Sequence, residues 1–307
     1  MSKTTHLRIL IAGASGFVGQ QLVRLCQQQQ YSITVLGRNA AKLKQQFPTV
    51  AALDWNGLHT ANPSDFDAVI NLSGETINHL RWTKTIKNNI LQSRIKATEA
   101  LVKWVSKNPH PNLHFLSTSA LSIYGLYSTM PDKSNTEQTV ITHHPEFLYE
   151  VASAWERALE PLRSLNLSIT IMRFAVVFGK QCGAFPKLYL AAQLGFAAKL
   201  GSGQQPFAWI AIDDLIKAID WILQKKIIGP VNMVAPQIPT QNQLTKTMTR
   251  QLHRPYFLSC PAKILQLLLG QMADELLLNG QAATPDVLLN SGFKFDNNSF
   301  AEFMHHD

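Results

Sequence analysis

The sequence predicts an α/β protein built on a doubly wound parallel sheet, with a smaller lobe near the C-terminus. Three observations predict this fold: the length, a strand–glycine turn–helix at the start, and strands that alternate with amphipathic helices to about residue 175. With 307 residues, 46% of them hydrophobic, the chain can bury a large core. Strands that alternate with helices of this length indicate βαβ units, which build parallel sheets.

The elements follow one another in a regular order. An apolar run at residues 7–12 ends at a glycine and predicts a buried strand. The spacing of Val18, Leu22, Leu25 and Cys26 predicts an amphipathic helix. Long helices are predicted from about 83 to 107 and along the apolar stripe from 148 to 162. Further strands are predicted at 33–36, just before 54, at 67–72, at 112–117 and at 167–174.

A glycine-rich turn joins the first strand to the first helix. Gly13, Gly16 and Gly19 have the spacing GxxGxxG. Gly13 permits a tight turn, Gly16 lets the backbone approach a pyrophosphate, and Gly19 lets the helix pack close to the strand. This context predicts a Rossmann dinucleotide site rather than a plain turn of small residues. The helix-start amides expected to hold the phosphates are those of Ser15, Gly16, Phe17 and Val18.

The end of the second strand selects between the two nicotinamide dinucleotides. It reads Leu36-Gly37-Arg38-Asn39, without the acid that NAD-binding proteins place on the ribose 2′-hydroxyl. The planar fork of Arg38 suits a 2′-phosphate, although a solvent-facing arginine is the alternative. Gly37 and Arg38 therefore predict NADP(H) as the cofactor. Asp54, after the third strand, is expected either to border the adenine or to be an ordinary loop residue.

Two further positions are predicted to contact the cofactor. The tip of the fourth strand, where the chain would pass under the cofactor, consists of Leu72, Ser73 and Gly74. Arg94 lies on the apolar stripe of the long helix and faces the protein, where a charge needs a partner. That partner is a cofactor phosphate or a carboxylate such as Glu75, and a purely structural ion pair is the alternative. Asn89, one turn earlier, is a second candidate.

The regular alternation of predicted strands and helices ends after Arg173. Residues 1–175, with 207–235 returning to them, are predicted to form the NADP-binding Rossmann domain. Residues 176–206 and 236–307 are predicted to form a small, mostly helical C-terminal substrate lobe. Asp213 and Asp214 begin another helix, and we expect them to cap it and favour its dipole.

The net charge and the cysteine content limit the kinds of ligand and partner that we expect for this protein. The net charge is +8 from scattered lysines and arginines, which favours an anionic small-molecule ligand over a nucleic acid. Three distant cysteines predict reduced thiols, no disulfide and no metal site, hence a cytoplasmic protein. No leader segment is evident, and no apolar stretch approaches the ~20 residues that span a bilayer, so we expect no membrane partner. The sequence does not determine the oligomeric state, for which a homodimer is a candidate.

The chain resembles the extended short-chain dehydrogenase/reductases. More closely, it resembles their atypical NAD(P)-binding epimerase family, whose members are also labelled nucleoside-diphosphate-sugar epimerases or cell-division-inhibitor-like proteins. The resemblance implies NADP(H) in the groove of a Rossmann core, contacted by Arg38, Leu72, Ser73, Asn89 and Arg94. It departs from the family at Ala211, where the pattern Trp-Ile-His-Ile-Asp has histidine. The matching stretches run nearly end to end: residues 13–19, 71–75, 81–82, 93–94, 119–125, 155–156, 201–203, 209–214, 254–255, 280–281 and 292–293.

The usual proton-transfer pair of short-chain enzymes is missing. These enzymes use a tyrosine whose pKa is lowered by a lysine four residues later. None of the six tyrosines here has that lysine, and Tyr149, at the expected helix start, is followed by Ser153. Ser119 is predicted to bond a substrate oxygen, and Arg81 and Trp82 to grip or stack a substrate. Structural roles are the alternative for each of these residues and for the candidate proton carriers, Tyr124, Tyr149 and Glu75.

Two classes of function therefore remain. One is an oxidoreductase or epimerase with an atypical active site, which acts on a small polar or nucleotide-sugar substrate. The other is a non-catalytic NADP(H)-binding sensor or scaffold, which the missing Tyr–Lys pair favours. A glycine-rich, aromatic segment at 194–209 favours a substrate pocket and hence the enzyme.

Overall fold

The computed structural model describes residues 6–305, and a seven-stranded parallel sheet lies at its centre. The strands of the described chain are β1 (Arg8–Ala12), β2 (Ser32–Gly37), β3 (Ala51–Asp54), β4 (Ala68–Asn71), β5 (His114–Ala120), β6 (Ser168–Phe174), β7 (Val176–Phe178), β8 (Ala198–Leu200), β9 (Trp209–Ala211), β10 (Gly229–Met233) and β11 (Leu258–Cys260). The central sheet has the order β10-β6-β5-β4-β1-β2-β3, with every neighbouring pair parallel. The predicted α/β class with a doubly wound sheet is confirmed.

Helices cover both faces of this sheet. They are α1 (Phe17–Gln28), α2 (Ala40–Gln46), α3 (Lys84–Lys107), α4 (Phe147–Arg157), α5 (Glu160–Arg163), α6 (Phe185–Gln193), α7 (Ile212–Lys225), α8 (Gln241–Gln251), α9 (Ala262–Leu269), α10 (Gln271–Ala273), α11 (Asp286–Asn290) and α12 (Phe300–His305). Short 3₁₀ turns occur at Gly57–Thr60, Pro63–Asp65 and Leu121–Tyr124, and a π-helix at Asp274–Leu278. Between residues 6 and 305, no helix is both long and apolar enough to cross a bilayer.

The strand order places the glycine turn at the point where the sheet changes direction. β1 pairs with β2 on one side and with β4 on the other, so Ala12 lies opposite both Leu36 and Asn71. In parallel sheets wound this way, ligands bind outside the carboxyl ends of the strands at that switch point. Residues 13–19 and the tips of β2 and β4 therefore converge at one edge.

Two apolar layers hold the sheet between its helices. On one face, Leu22 of α1 and Ile219 of α7 belong to a single buried cluster. On the other, Trp104 of α3 and Leu162 of α5 belong to a second. Burying each such side chain contributes roughly 1.5–3 kcal/mol, so these layers fix the strand edge that carries the site.

A smaller, largely helical part packs beside this core. β8 and β11 pair in parallel, and α6, α8 and α12 gather around an aromatic cluster that includes Phe178, Phe185 and Trp209. Phe293 and Phe295 belong instead to the cluster of the main sheet. The division into residues 1–175 with 207–235 and residues 176–206 with 236–307 stays a prediction.

The helix expected along the stripe from 148 to 162 is interrupted. α4 ends at Arg157, and the short α5 begins at Glu160. Pro161 lies in the first turn of α5, where its missing N–H costs nothing. In a continuous helix the same ring would clash with the carbonyl of residue 157. Apolar spacing alone did not reveal this break.

Asp214 does not cap α7, contrary to the expectation from its position. α7 begins at Ile212 without a side-chain cap, and Asp214 is fully buried. Its carboxylate accepts hydrogen bonds from the backbone N–H groups of Asp296 and Asn297, at 2.7 and 3.0 Å. The amide of the Asn297 side chain donates a further bond at 2.9 Å. Asp214 thus fastens the C-terminal segment to the helix.

Replacing Asp214 with alanine should lower the free energy of unfolding by about 2 kcal/mol, because three donors lose a charged acceptor. Asp213→Ala is the matched control, since Asp213 is exposed and has only a weak interaction with the helix dipole, worth about 0.5 kcal/mol. Urea denaturation of the two variants measures the difference. Equal losses would show that Asp214 acts only through the dipole.

Candidate functional site

The glycine turn is wedged between the tips of β2 and β4. Gly13 has φ +82° and donates its N–H to the carbonyl of Leu36 at 3.1 Å. A Cβ atom on Gly13 would lie 2.7 Å from the carbonyl carbon of Leu72, closer than real Cβ contacts allow. Gly16 precedes the first residue of α1 and donates to the carbonyl of Gly13 at 3.1 Å. The helix therefore starts at the strand edge with its amides directed outward from the turn.

Gly19 explains how closely the helix approaches. A Cβ atom there would lie 2.5 Å from the carbonyl oxygen of Gly13 and 2.6 Å from Cα of Ala14. The sequence predicted that Gly19 lets α1 pack closely against the strand. The closest contacts of α1 at Gly19 are instead with the turn, at Gly13 and Ala14. Only a residue without a side chain lets α1 fold back over its own turn.

Phe17 links the turn to residues 179–183. Cβ atoms placed on Gly179 and Gly183 would lie 2.8 and 3.0 Å from ring carbons of Phe17, so the ring packs directly against both glycines. A cleft of about 800 Å³ opens beside it, with Arg24 and Lys180 on its walls. Of the residues predicted to hold the cofactor, only Phe17 lines this cleft. The cleft is therefore separate from the groove at the strand edge.

The residues predicted for the adenosine end lie side by side. Gly37 is paired with Asp54 across β2 and β3, so Arg38 emerges next to Asp54. Asp54 accepts the N–H of Gly57 at 2.7 Å, which closes a local turn. Arg38 is exposed, and among residues 6–305 none pairs with its guanidinium. That cation is thus available to an anionic ligand.

The tip of β4 carries an unsatisfied polar atom. Ser73 donates its backbone N–H to the side-chain oxygen of Asn71 at 3.1 Å. Its hydroxyl oxygen is buried, and no partner for it occurs in the described part of the chain. Buried polar atoms are nearly always bonded, so an unpaired hydroxyl at this edge fits an absent ligand group.

Arg94 covers the same tip. Its guanidinium carbon lies 3.2 Å from the position of a Cβ on Gly74, and it stacks over Trp155 at 5.0 Å. It donates to the carbonyl of Ile90 at 2.9 Å, and no carboxylate of residues 6–305 lies within 4.0 Å. Burial lowers the pKa of Arg94 to about 10, against the opposing effect of Glu75. A half-buried cation that has no ion pair within residues 6–305 fits a phosphate group of a dinucleotide.

Ser119 belongs to a buried ionic network at the end of β5. Its hydroxyl donates to Oε1 of Glu156 at 2.8 Å. Arg173 grips Glu156 through two bonds, at 2.9 and 3.0 Å. Burial alone would lower the pKa of Arg173, but the bonds to Glu156 raise it above its ordinary value. Because the hydroxyl proton of Ser119 is donated to Glu156, its oxygen lone pairs can accept a hydrogen bond from a substrate hydroxyl.

Tyr124 lies in the same network and not on an open surface. Its hydroxyl accepts from Arg173 at 2.7 Å and donates to the side-chain oxygen of Asn232 at 2.9 Å. Only 4% of Tyr124 is exposed, and burial raises the pKa of its hydroxyl. Its hydroxyl is engaged on both sides by protein groups, which indicates a structural role rather than that of a proton carrier.

Tyr149 is the more accessible tyrosine of this region. It is the third residue of α4 and is half-buried against the cluster that contains Tyr124. The imidazoles of His143 and His144 meet its ring edge to face, with centroids 5.5 and 5.3 Å away. Histidine is the residue most able to exchange a proton near neutral pH. The pair thus offers acid–base groups where a lysine is missing.

Glu275 fixes the start of α4 from the C-terminal part of the chain. Its carboxylate accepts the backbone N–H groups of Phe147 and Leu148, at 3.0 and 2.8 Å. Gln271 also donates to it at 2.7 Å. An acceptor at these orphan amides anchors the helix that carries Tyr149. Neither Glu275 nor the Glu156–Arg173 pair was predicted from the sequence.

The remaining predicted residues fall outside this centre. Trp82 is buried, donates its indole N–H to Ile77 and packs on Phe147 at 5.3 Å, which indicates a core role rather than substrate stacking. Arg81 and Asn89 are exposed. Glu75 is half-buried and donates its backbone N–H to Ser93 at 2.9 Å.

Known proteins resemble this chain over nearly its whole length. Residues 9–234 match the model of the NAD dependent epimerase/dehydratase family, and residues 260–306 match a domain of unknown function (DUF1731). The epimerase family protein SSP1921 of Staphylococcus saprophyticus is 34% identical over 289 residues, which cover 93% of this chain and 94% of that protein.

Solved structures agree with this result. The human epimerase family protein SDR39U1 (isoform 2), solved with NADPH, aligns with a TM-score of 0.84 and 25% identity, over 97% of this chain and 98% of that one. A nucleoside-diphosphate sugar epimerase from Corynebacterium glutamicum aligns with a TM-score of 0.75 and 26% identity, over 98% of this chain and 58% of that one. The resemblance inferred from the sequence motifs is confirmed.

Proposed function

The chain belongs to the NAD dependent epimerase/dehydratase family, and on that premise we propose that it is an NADP(H)-dependent oxidoreductase or epimerase acting on a small polar or nucleotide-sugar substrate. The observation that carries the choice of cofactor is the exposed, unpaired guanidinium of Arg38 at the end of β2, within the described chain. A guanidinium there attracts a 2′-phosphate, whereas NAD-binding proteins place an acid at this point.

Several groups at the carboxyl ends of the strands support the proposed position of the remaining parts of the cofactor. The amides of Ser15–Val18 begin a helix at the edge, where the dipole favours phosphates. The unpaired hydroxyl of Ser73 and the guanidinium of Arg94 lie beside the tip of β4. The human relative SDR39U1 was solved with NADPH, which supports the choice of NADP(H) as the cofactor.

The chemistry would occur between Ser119 and Tyr149. A bound nicotinamide supplies or accepts hydride. Ser119, held by Glu156, can accept a hydrogen bond from a substrate hydroxyl, and Tyr149 can hold or release the proton that the substrate oxygen exchanges. The imidazoles of His143 and His144 contact the ring of Tyr149, and in this proposal they serve as the acid–base groups that exchange its proton with solvent. Arg81, whose side chain is exposed, binds an anionic part of the substrate in this proposal.

A sensor or scaffold that binds NADP(H) without turnover is the second candidate. It is favoured by Ser153, which stands where a lysine would follow Tyr149. Purified protein offered NADPH with a panel of carbonyl compounds, and NADP⁺ with nucleotide sugars, separates the two. Oxidation of NADPH or conversion of a sugar supports the enzyme. Tight NADPH binding with no turnover across the panel supports the sensor.

The Arg38→Asp variant tests the choice of cofactor. We expect NADPH affinity to fall at least about tenfold, because a favourable contact with the 2′-phosphate becomes a repulsion. NADH affinity should change little, since NADH has no 2′-phosphate. Titration of nicotinamide fluorescence measures both.

Arg24→Asp is the control, because it makes the same charge change at an exposed position on α1. It should leave both affinities within about twofold. Equal loss of NADPH and NADH in Arg38→Asp would refute the assignment of Arg38.

A further inference from the structure

One part of the C-terminal lobe, residues 176–206 and 236–273, carries bases without acids, and the six acids of the lobe follow it in residues 274–307. The first of them, Asp274, is partly buried and accepts a hydrogen bond from Gln266 of α9 at 2.7 Å. Residues 176–206 and 236–273 contain seven lysines and arginines and not one aspartate or glutamate, whereas the whole chain has a net charge of +8. Lys263, Arg254 and Lys187 are exposed. Surfaces normally mix both signs, so an acid-free region of this size creates a local positive field.

The same region exposes large apolar side chains. α9 has the sequence Ala-Lys-Ile-Leu-Gln-Leu-Leu-Leu, and only Leu265 of its aliphatic residues is buried. Leu267 is 77% exposed, and Ile264 and Leu268 are exposed as well. Single exposed leucines are ordinary, but three on one helix of eight residues form a patch.

Two phenylalanines extend this patch. Phe257 and Phe196, at 75% and 70% exposed, precede β11 and β8. Those strands pair in parallel, with Ala198 opposite Leu258, so both rings project at the same end of the pair. α9 begins five residues after Phe257, beyond β11 and Pro261, so an extended chain of about 16 Å joins Phe257 to the start of α9. Leu190 and Leu194, on α6 and just after it, are exposed on the approach to Phe196.

We propose that this basic apolar face, formed by Phe196, Phe257, α9 and the surrounding cations, docks the protein on an anionic lipid surface. A bilayer interface offers both things that the face requires: negative headgroups for the lysines and arginines, and acyl chains for protruding apolar side chains. The sequence predicted no membrane partner because no segment spans the bilayer, but peripheral binding needs no such segment, so the proposal departs from that prediction.

Other partners fit the face less well. A nucleic acid would satisfy the cations but would give no apolar environment to Leu267 or Ile264, because its grooves are read by polar contacts. A protein partner would need acids and a hydrophobic groove together. Only a membrane combines a continuous apolar layer with dense negative charge.

Flotation with lipid vesicles tests the proposal on the full chain without cofactor. We expect binding to vesicles of phosphatidylcholine with phosphatidylglycerol, weak binding to phosphatidylcholine alone, and release at high salt. Leu267→Ser and Phe257→Ser should each weaken binding about tenfold, because each removes an apolar side chain from the acyl layer. Lys263→Glu should weaken it comparably and reduce the salt dependence.

Matched controls lie elsewhere on the surface. Val140→Ser changes an aliphatic side chain that is 82% exposed, and Lys133→Glu reverses an exposed charge outside the lobe. Both should bind vesicles like the unmodified protein, and thermal unfolding checks that all variants fold. The proposal is overturned by absent vesicle binding, by controls that lose as much as the lobe variants, or by binding of RNA or self-association through Leu267 without vesicle binding.

Discussion

Replacing Glu156 with alanine is expected to lower the free energy of unfolding by about 3–5 kcal/mol, the loss typical when one partner of a buried ion pair is removed. The side chains of Arg173 and Glu156 are 6% and 13% exposed, and two hydrogen bonds join them. Alanine leaves the guanidinium of Arg173 buried beside Tyr124 without a counter-charge, and it also frees the Ser119 hydroxyl. Urea denaturation measures the loss.

Glu160→Ala is the matched control for this prediction. Glu160 pairs with Arg163 at 3.5 Å, but both side chains are more than half exposed. Exposed pairs contribute about 0.2–1 kcal/mol, so the control should change stability by no more than that. The double variant Glu156→Leu with Arg173→Met should recover much of the loss, because it removes both charges together. Equal losses in Glu156→Ala and Glu160→Ala would contradict a buried network.

The sheet was predictable because its signals are local. β1, β2 and β6 were predicted within one residue at each end, since short apolar runs bounded by turns specify buried strands. The helix from 83 to 107 was predicted equally well, because Thr83 caps it and Lys107 ends it. These features depend on residues that are neighbours in the sequence.

The contacts that hold the site together could not be predicted from the sequence, because they join residues that are far apart along the chain. Glu275 reaches the amides of Phe147 and Leu148 from more than 120 residues away, and Asp214 reaches Asp296 across 82. No periodicity in the sequence encodes such pairs. Asp214 was misassigned because a local capping rule was applied to a residue whose partners are distant.

Two signals in the sequence could have been used further. Arg173 is the one charged residue of the strand β6, and a buried charge there requires a partner. That argument predicts an acid on a neighbouring element, which Glu156 supplies. Pro161 inside the stripe from 148 to 162 likewise predicts the break between α4 and α5.

Alanine at Gly16 and alanine at Gly19 should both weaken NADPH binding, but for different physical reasons. Gly19→Ala places a methyl group 2.5 Å from the carbonyl oxygen of Gly13, so α1 must move and the free energy of unfolding should fall by about 1–3 kcal/mol. Gly16→Ala meets only that oxygen, at 3.3 Å, so the fold should stay within about 1 kcal/mol of the original. Both should weaken NADPH binding by about a hundredfold, which is about 2.7 kcal/mol.

In Gly16→Ala the affinity falls because a methyl group occupies the space through which the pyrophosphate approaches the backbone. In Gly19→Ala it falls because the displaced helix withdraws its amides from the phosphates. Gly57→Ala is the control, since its Cβ would make an ordinary contact of 3.4 Å with Asp54 and should leave stability and affinity nearly unchanged. Fluorescence titration and urea denaturation of the three variants separate these effects. NADPH affinity retained in Gly16→Ala would move the pyrophosphate away from residues 13–19, and with it the proposed position of the cofactor.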